Sequence, residues 1–233
     1  MFIIYEGPSL IDGMPIVVIA TADSKNSKTG DMWQTWIMRS DVDPITASRT
    51  GADVSICGDC IHKGRPSNKA TGWAKERSCY VNLLFGPRAV FEAYKRGSYR
   101  RLDDLAAIGR DRLVRIGSYG DGAAVPQHIW DELCRDAAGW TAYTHQGNVD
   151  PNRYMTSADS LPAAQDAWDR GERTFRVIKS MDDILLGSEI LCPASAEAGK
   201  RTTCAKCKLC AGASIAAKSI AIVAHGSGAK HYA

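Results

Sequence analysis

The chain contains no long apolar run. No stretch of its 233 residues approaches the roughly 18 uninterrupted apolar residues that a membrane-crossing helix needs. Glu6, Pro8 and Asp12 interrupt the start, where no basic segment leads into an apolar one, so a secretory leader is not expected. A strong charge of one sign is also missing. The 29 Lys and Arg against 26 Asp and Glu leave a formal net charge of +3, which neither demands nor excludes nucleic acid as a partner. No internal repeat, low-complexity tract or linker divides the chain, so a single domain over 1–233 is expected. The Gly-rich stretch 117–122 is followed by no Gly-Lys-Ser/Thr and is not a phosphate-binding P-loop. With 45% hydrophobic and 24% charged residues, the composition is that of an ordinary globular protein. A cytoplasmic location with no membrane partner is the expectation. There, paired cysteines favour metal binding over disulfides.

Cysteine is what the chain does have. Seven of its eight cysteines fall into two groups. Cys57 and Cys60 are followed by His62 and, beyond a basic stretch, by Cys79. Cys192 precedes Cys204, Cys207 and Cys210, with His225 downstream. Two residues between cysteines let both sulfurs turn toward one ion, as in zinc and iron–sulfur sites. These residues are therefore candidate metal ligands, and whether Cys192 or His225 completes the second set is left open. Cys134 stands alone in an apparent helix and reads as a small buried apolar residue. Lys63, Arg65, Lys69, Lys75 and Arg77 fill the span between Cys60 and Cys79, and Lys200, Arg201, Lys206 and Lys208 surround the second group. They form either solvated faces or a phosphate-binding rim.

Short apolar strands alternate with helices. Strands are expected at 2–5, 16–19, 33–38, 113–116, 140–144, 173–178 and 219–224, and helices at 85–96, 102–108, 126–138 and 161–170. This alternation specifies an α/β fold with a parallel sheet, expected as a partial or complete TIM-like parallel barrel. A Cys-rich metal knuckle is inserted at about 190–212. Polar residues follow the strands, at the rim where such folds bind ligands, so Asp121, His145, Asp159 and His225 should converge.

The chemistry follows from that rim. Asp121 ends a Gly-rich loop and offers a carboxylate for a base edge or a proton; the alternative is an ordinary loop aspartate. Asp159 is a candidate nucleophile or base, while Ser160 or Asp159 caps the following helix. His145 and Gln146, beside Tyr143, could contact a base, with Tyr119 and Gly120 on the neighbouring loop. The polar loop 23–30, with Asp23, could bind phosphate or be a plain turn.

Asn26–Gly30, Cys57/Cys60, Cys79-Tyr80, Arg115-Ile116 leading to Gly120-Asp121, Tyr143-Thr144, and Cys192-Pro193-Ala194 followed by Cys204, Cys207, Cys210 and His225 together carry a resemblance. They resemble the bacteriophage "gene product 88"-type proteins, over most of the chain, which implies a location in the cytoplasm of an infected host. More distantly, the chain is similar to the tRNA- and DNA-guanine transglycosylases. That resemblance implies a TIM-type barrel and zinc on Cys204, Cys207, Cys210 and His225. It also implies a nucleophilic Asp159, a second carboxylate at Asp121 or Asp23, and exchange of a 7-deazaguanine base into DNA. Lys25 and Asn26 stand where that group has glycines, and the first cysteine group has no counterpart there. Cys57, Cys60, Cys79 and Tyr80 also resemble a stretched form of the radical S-adenosylmethionine motif, which implies a four-iron four-sulfur cluster with S-adenosylmethionine. A nucleic-acid-binding protein organised by zinc, without catalysis, is the third expectation.

Overall fold

The computed structural model describes residues 1–22, 28–199 and 201–232. Three strands open the chain: β1 (Phe2–Pro8), β2 (Pro15–Thr21) and β3 (Trp33–Arg39). β2 carries Ile16-Val17-Val18-Ile19, β-branched residues buried on both faces, which marks a central strand. Helices α1 (Pro44–Thr50), α2 (Val54–Cys57) and α3 (Gly86–Lys95) follow. Asp43 starts α1 by accepting from the backbone N–H groups of Ile45 and Thr46, both at 3.0 Å. Next come β4 (Arg100–Arg101), α4 (Ala106–Gly109), β5 (Leu113–Tyr119), α5 (Gln127–Cys134), β6 (Gly139–Thr141) and β7 (Tyr143–Thr144). The chain continues through β8 (Met155–Ala158), α6 (Leu161–Asp169), β9 (Thr174–Ile178), β10 (Glu189–Leu191), α7 (Cys204–Cys207) and β11 (Ser219–Val223).

The strands form two sheets, ordered β4-β1-β2-β3-β5-β6 and β10-β11-β9-β8-β7. From β3 onward the pairing is parallel, as the alternation of strands and helices predicts. The opening departs from that expectation: β1, β2 and β3 pair antiparallel. Only residues 9–14 separate β1 from β2, too few for the crossover that parallel strands require. The predicted strand 140–144 serves both sheets. β6 pairs with β5 and β7 with β8, while Ala142 between them donates its N–H to the Cys210 carbonyl at 3.0 Å. Pairing therefore runs from β3 through β5, β6–β7, β8, β9 and β11 to β10, with all carboxyl ends on one side. No closed barrel forms among the described residues; β4 and β10 are sheet edges.

The expected helix at 102–108 is a single turn, α4. It lies so close to α5 that a Cβ on Gly109 would stand 2.0 Å from the Leu133 carbonyl oxygen. Trp130 and Leu133 of α5 are fully buried against the larger sheet, in a core with Ile16, Ile37 and Ile116. A smaller core gathers Met155, Cys192, Cys210, Ile220 and Ile222. It packs the Cys-rich segment between β10 and β11 onto the second sheet, at the position predicted for the insertion.

Candidate metal centre

A cavity of about 470 Å³ opens at the carboxyl ends of the parallel strands, and all seven clustered cysteines line it. Asp121 reaches it after β5, His145 after β7, Asp159 after β8, Cys192 after β10 and His225 after β11. Two groups separated by more than a hundred residues thus share one space.

Backbone contacts hold the first group. Cys57 donates its N–H to the Asp53 carbonyl at 2.8 Å, and Cys79 donates to the His62 carbonyl at 2.9 Å. Lys63 caps the loop by donating to the Gly58 and Cys60 carbonyls at 2.7 and 3.4 Å, and Arg77 donates to the Cys79 carbonyl at 3.1 Å. Arg65 pairs with Glu76. Three of the five basic residues in this stretch therefore pair within the loop, and two of them, Lys63 and Arg77, also line the cavity. Gly58, at φ 50°, lets the turn press against Gln146, whose amide would lie 2.3 Å from an added Cβ. Gln146 donates to the Cys57 carbonyl at 3.4 Å. It supports the cysteine turn from behind and does not line the cavity, which corrects the expected base contact.

The second group depends on Arg173. Its guanidinium donates to the carbonyls of Ala217, Leu209, Gly212 and Lys218 at 2.7, 2.7, 2.9 and 2.6 Å. Cys192 groups with Cys204, Cys207 and Cys210 and perturbs the Cys210 thiol together with them. His225 stacks on Tyr80, with centroids 5.5 Å apart, and donates Nδ1–H to the Val223 carbonyl at 3.0 Å. Cys192 thus packs among the cysteines of this set, while His225 lines the same cavity against Tyr80. Burial, then the negative charge of Asp53 and the neighbouring thiols, pushes Cys57 well above the usual thiol range. Burial also raises Cys79 and Cys204, and Cys210 goes up to about 12. A bound cation would reverse that preference for the neutral thiol. All eight cysteines are free, and Cys134 is buried in α5, away from the cavity.

Sulfur spacing tests which metal these sets fit. A tetrahedral zinc ion with Zn–S bonds of about 2.3 Å draws its sulfurs to about 3.8 Å from one another. Among the described residues, no three cysteine sulfurs come within 4.8 Å of one another.

The carboxylates are unequal. Both oxygens of Asp121 are committed: Oδ1 accepts from Ala123 N–H at 2.9 Å, and Oδ2 accepts from Thr144 Oγ1 at 3.0 Å and His145 N–H at 2.9 Å. Asp121 ties the loops after β5 and β7 together, and its burial raises its pKa. Asp159 instead points Oδ1 at His145 Nε2, 3.1 Å away, and at His62 Nε2, 3.5 Å away. Ser160 caps α6 by accepting from Ala163 N–H at 3.2 Å, so the cap and the cavity role fall on adjacent residues. Burial pulls His145 down, but hydrogen bonds donated to Asp159 and Cys60 outweigh it and raise the imidazole to about 10.

Tyr143 packs on Phe175 at 4.5 Å, while Tyr119 is buried and Gly120 turns the loop at φ 81°. Asp23 lies outside the described residues, as does most of the loop 23–30. His62, expected only as a candidate ligand beside Cys60, lines the cavity together with Arg115, which carried no chemical role in the sequence reading. Arg115 is 7% exposed, with a hydrogen bond to the Tyr80 hydroxyl. An arginine between Val114 and Ile116 in an apolar strand was the signal for it. No family model, curated protein or solved structure matches the chain.

Proposed function

We propose that this chain is an iron–sulfur enzyme whose two cysteine sets open on one substrate cavity. The single observation that carries this is the convergence of seven cysteines on that cavity without the close sulfur spacing of a mononuclear ion. A closed structural zinc site has no reason to face a ligand cavity, whereas a redox centre must lie near what it reduces. The pairing from β3 to β10 supports an incomplete, TIM-like parallel arc as the scaffold. This agrees with the resemblance to radical S-adenosylmethionine enzymes, which implies a partial barrel.

Cys57, Cys60 and Cys79 would hold one cluster, and Cys192, Cys204, Cys207 and Cys210 the other. Three thiolates leave a four-iron cluster one iron without a cysteine, the position where the resemblance implies S-adenosylmethionine; four complete the second set. Clusters of this kind supply single electrons. The chain's own residues do the rest. Arg115 places a buried positive charge on the cavity wall, suited to an anionic ligand or to balancing thiolates. His145 and Asp159 stand 3.1 Å apart, Nε2 to Oδ1, at the cavity edge. Base exchange is less well supported, since Asp121 has both oxygens occupied by hydrogen bonds and the remaining cavity carboxylate apart from Asp159, that of Asp53, is buried.

Anaerobic purification followed by iron and acid-labile sulfide analysis tests this. A brown protein containing both is expected. Replacing Cys57 and Cys60 by Ser should remove one share of the sulfide, and replacing Cys204 and Cys207 the other. A colourless protein with zinc and no sulfide would overturn the assignment.

A further inference from the structure

His62, His145 and Asp159 come from three separate segments: the loop after α2, the end of β7 and the end of β8. Their ligand atoms all lie within 4.8 Å of one another, and all three residues line the cavity. Among the described residues no other trio of His, Cys, Asp or Glu does this. The Asp159 Oδ1 separations of 3.1 Å to His145 Nε2 and 3.5 Å to His62 Nε2 have a specific size. Ligands at about 2.1 Å from one ion, subtending octahedral to tetrahedral angles, stand about 3.0–3.4 Å apart. The His62–Asp159 pair is too long for a hydrogen bond but has the spacing of two ligands on one ion. His62 is also oriented for this. Its Nδ1 lies 2.8 Å from Ser78 Oγ, and its ring stacks on Tyr232 with centroids 5.6 Å apart. A second partner on the far nitrogen is what fixes the tautomer and angle of a metal-binding imidazole.

We infer that His62, His145 and Asp159 form a mononuclear site for a first-row divalent cation, distinct from both cysteine sets. Two imidazoles and one carboxylate suit ferrous iron or zinc, and three protein ligands leave coordination positions open to the cavity. The site goes beyond the iron–sulfur assignment and does not depend on it.

Metal and sulfide counted on the same sample decide the matter. In a four-iron four-sulfur cluster the two are equal, so a mononuclear ion appears as metal in excess of sulfide. The anaerobically loaded wild-type protein should hold about one first-row metal per chain beyond its sulfide. Asp159→Asn and His62→Gln should each abolish that excess and leave sulfide unchanged, which also reports that the variant has folded around its cysteines. A wild type with no excess overturns the site, as does an excess that survives in both variants. Loss of sulfide in step with the metal overturns it too, because the trio would then only brace the first cysteine set. Sulfide missing from every preparation would instead sink the iron–sulfur assignment. In that case loss of one metal per chain in the two variants would support the site, and an unchanged count would overturn it.

Discussion

Asp53 shows how the cavity strains a single residue. It is 3% exposed, and burial pushes its carboxyl from the ordinary 3.8 up to about 7, against the pull of Lys63 and Arg77. The folded state therefore holds this proton more tightly than the unfolded chain does. The sign follows: Asp53 lowers stability progressively as pH rises from about 4 to about 7 and is a constant cost above that, of at most about 4 kcal/mol. Its side chain makes no capping bond at the start of α2, so an amide loses nothing there. Asp53→Asn should raise the urea midpoint at pH 8 and leave it nearly unchanged at pH 4. Equal gains at both values would show that charge is not the cause. At this scale the cysteines were legible because their spacing is local. Asp53 and Arg115 were not, because a lone polar residue acquires its role only from neighbours far along the chain, and His62 was legible only as a neighbour of Cys60.

The elements are held by buried polar clamps more than by their own length. β10 has three residues, and its position against β11 and β9 depends on Glu189, which is 1% exposed. Arg176 of β9 grips Glu189 with two hydrogen bonds of 2.8 and 2.6 Å, and Leu185 N–H adds a third at 3.0 Å. Glu189→Gln leaves the Arg176 charge buried and unpaired and should cost about 3–5 kcal/mol in urea unfolding. Recovery of most of that loss in Arg176→Met/Glu189→Leu would confirm the pair as its origin; a loss well under 1 kcal/mol would show that water reaches the pair. β4 and β10 escaped sequence detection because two or three residues carry no periodicity. α3, α5, α6 and β11 were visible because their apolar spacing and their Pro or Gly boundaries agree. The antiparallel opening was missed because runs of buried Ile and Val do not encode direction.

Across the whole molecule, the cavity joins distant segments that otherwise share little core. The first cysteine loop reaches the sheet through Asp121 N–H on the Ile56 carbonyl, at 2.6 Å, and through Gln146. The second reaches it through Arg173 and Ala142. Metal linking thiolates within each loop should stabilise these parts more than the opening β1–β2–β3 unit. Stripping the loaded protein with a chelator should lower its melting temperature by several degrees. Amide exchange should accelerate at 54–80 and 192–217, with β2 still protected. Uniform deprotection that includes β2 would show that the metal holds the entire fold and not the cavity walls.

Residue spacing alone determined that seven cysteines fall into two groups with metal-ligand spacing, that the later part of the chain is built of strands alternating with helices, and that polar residues stand at the strand ends. Both kinds of signal are local, set by side-chain reach over a few residues and by the period of buried positions. Only the tertiary structure decided that the two groups share one cavity, that Cys192 packs with Cys204 and Cys210 while His225 stacks on Tyr80, and that Asp121 is a strut while Asp159 meets two histidines. Those outcomes depend on how far the paired strands bring distant loops together, a distance that no local pattern of residues specifies.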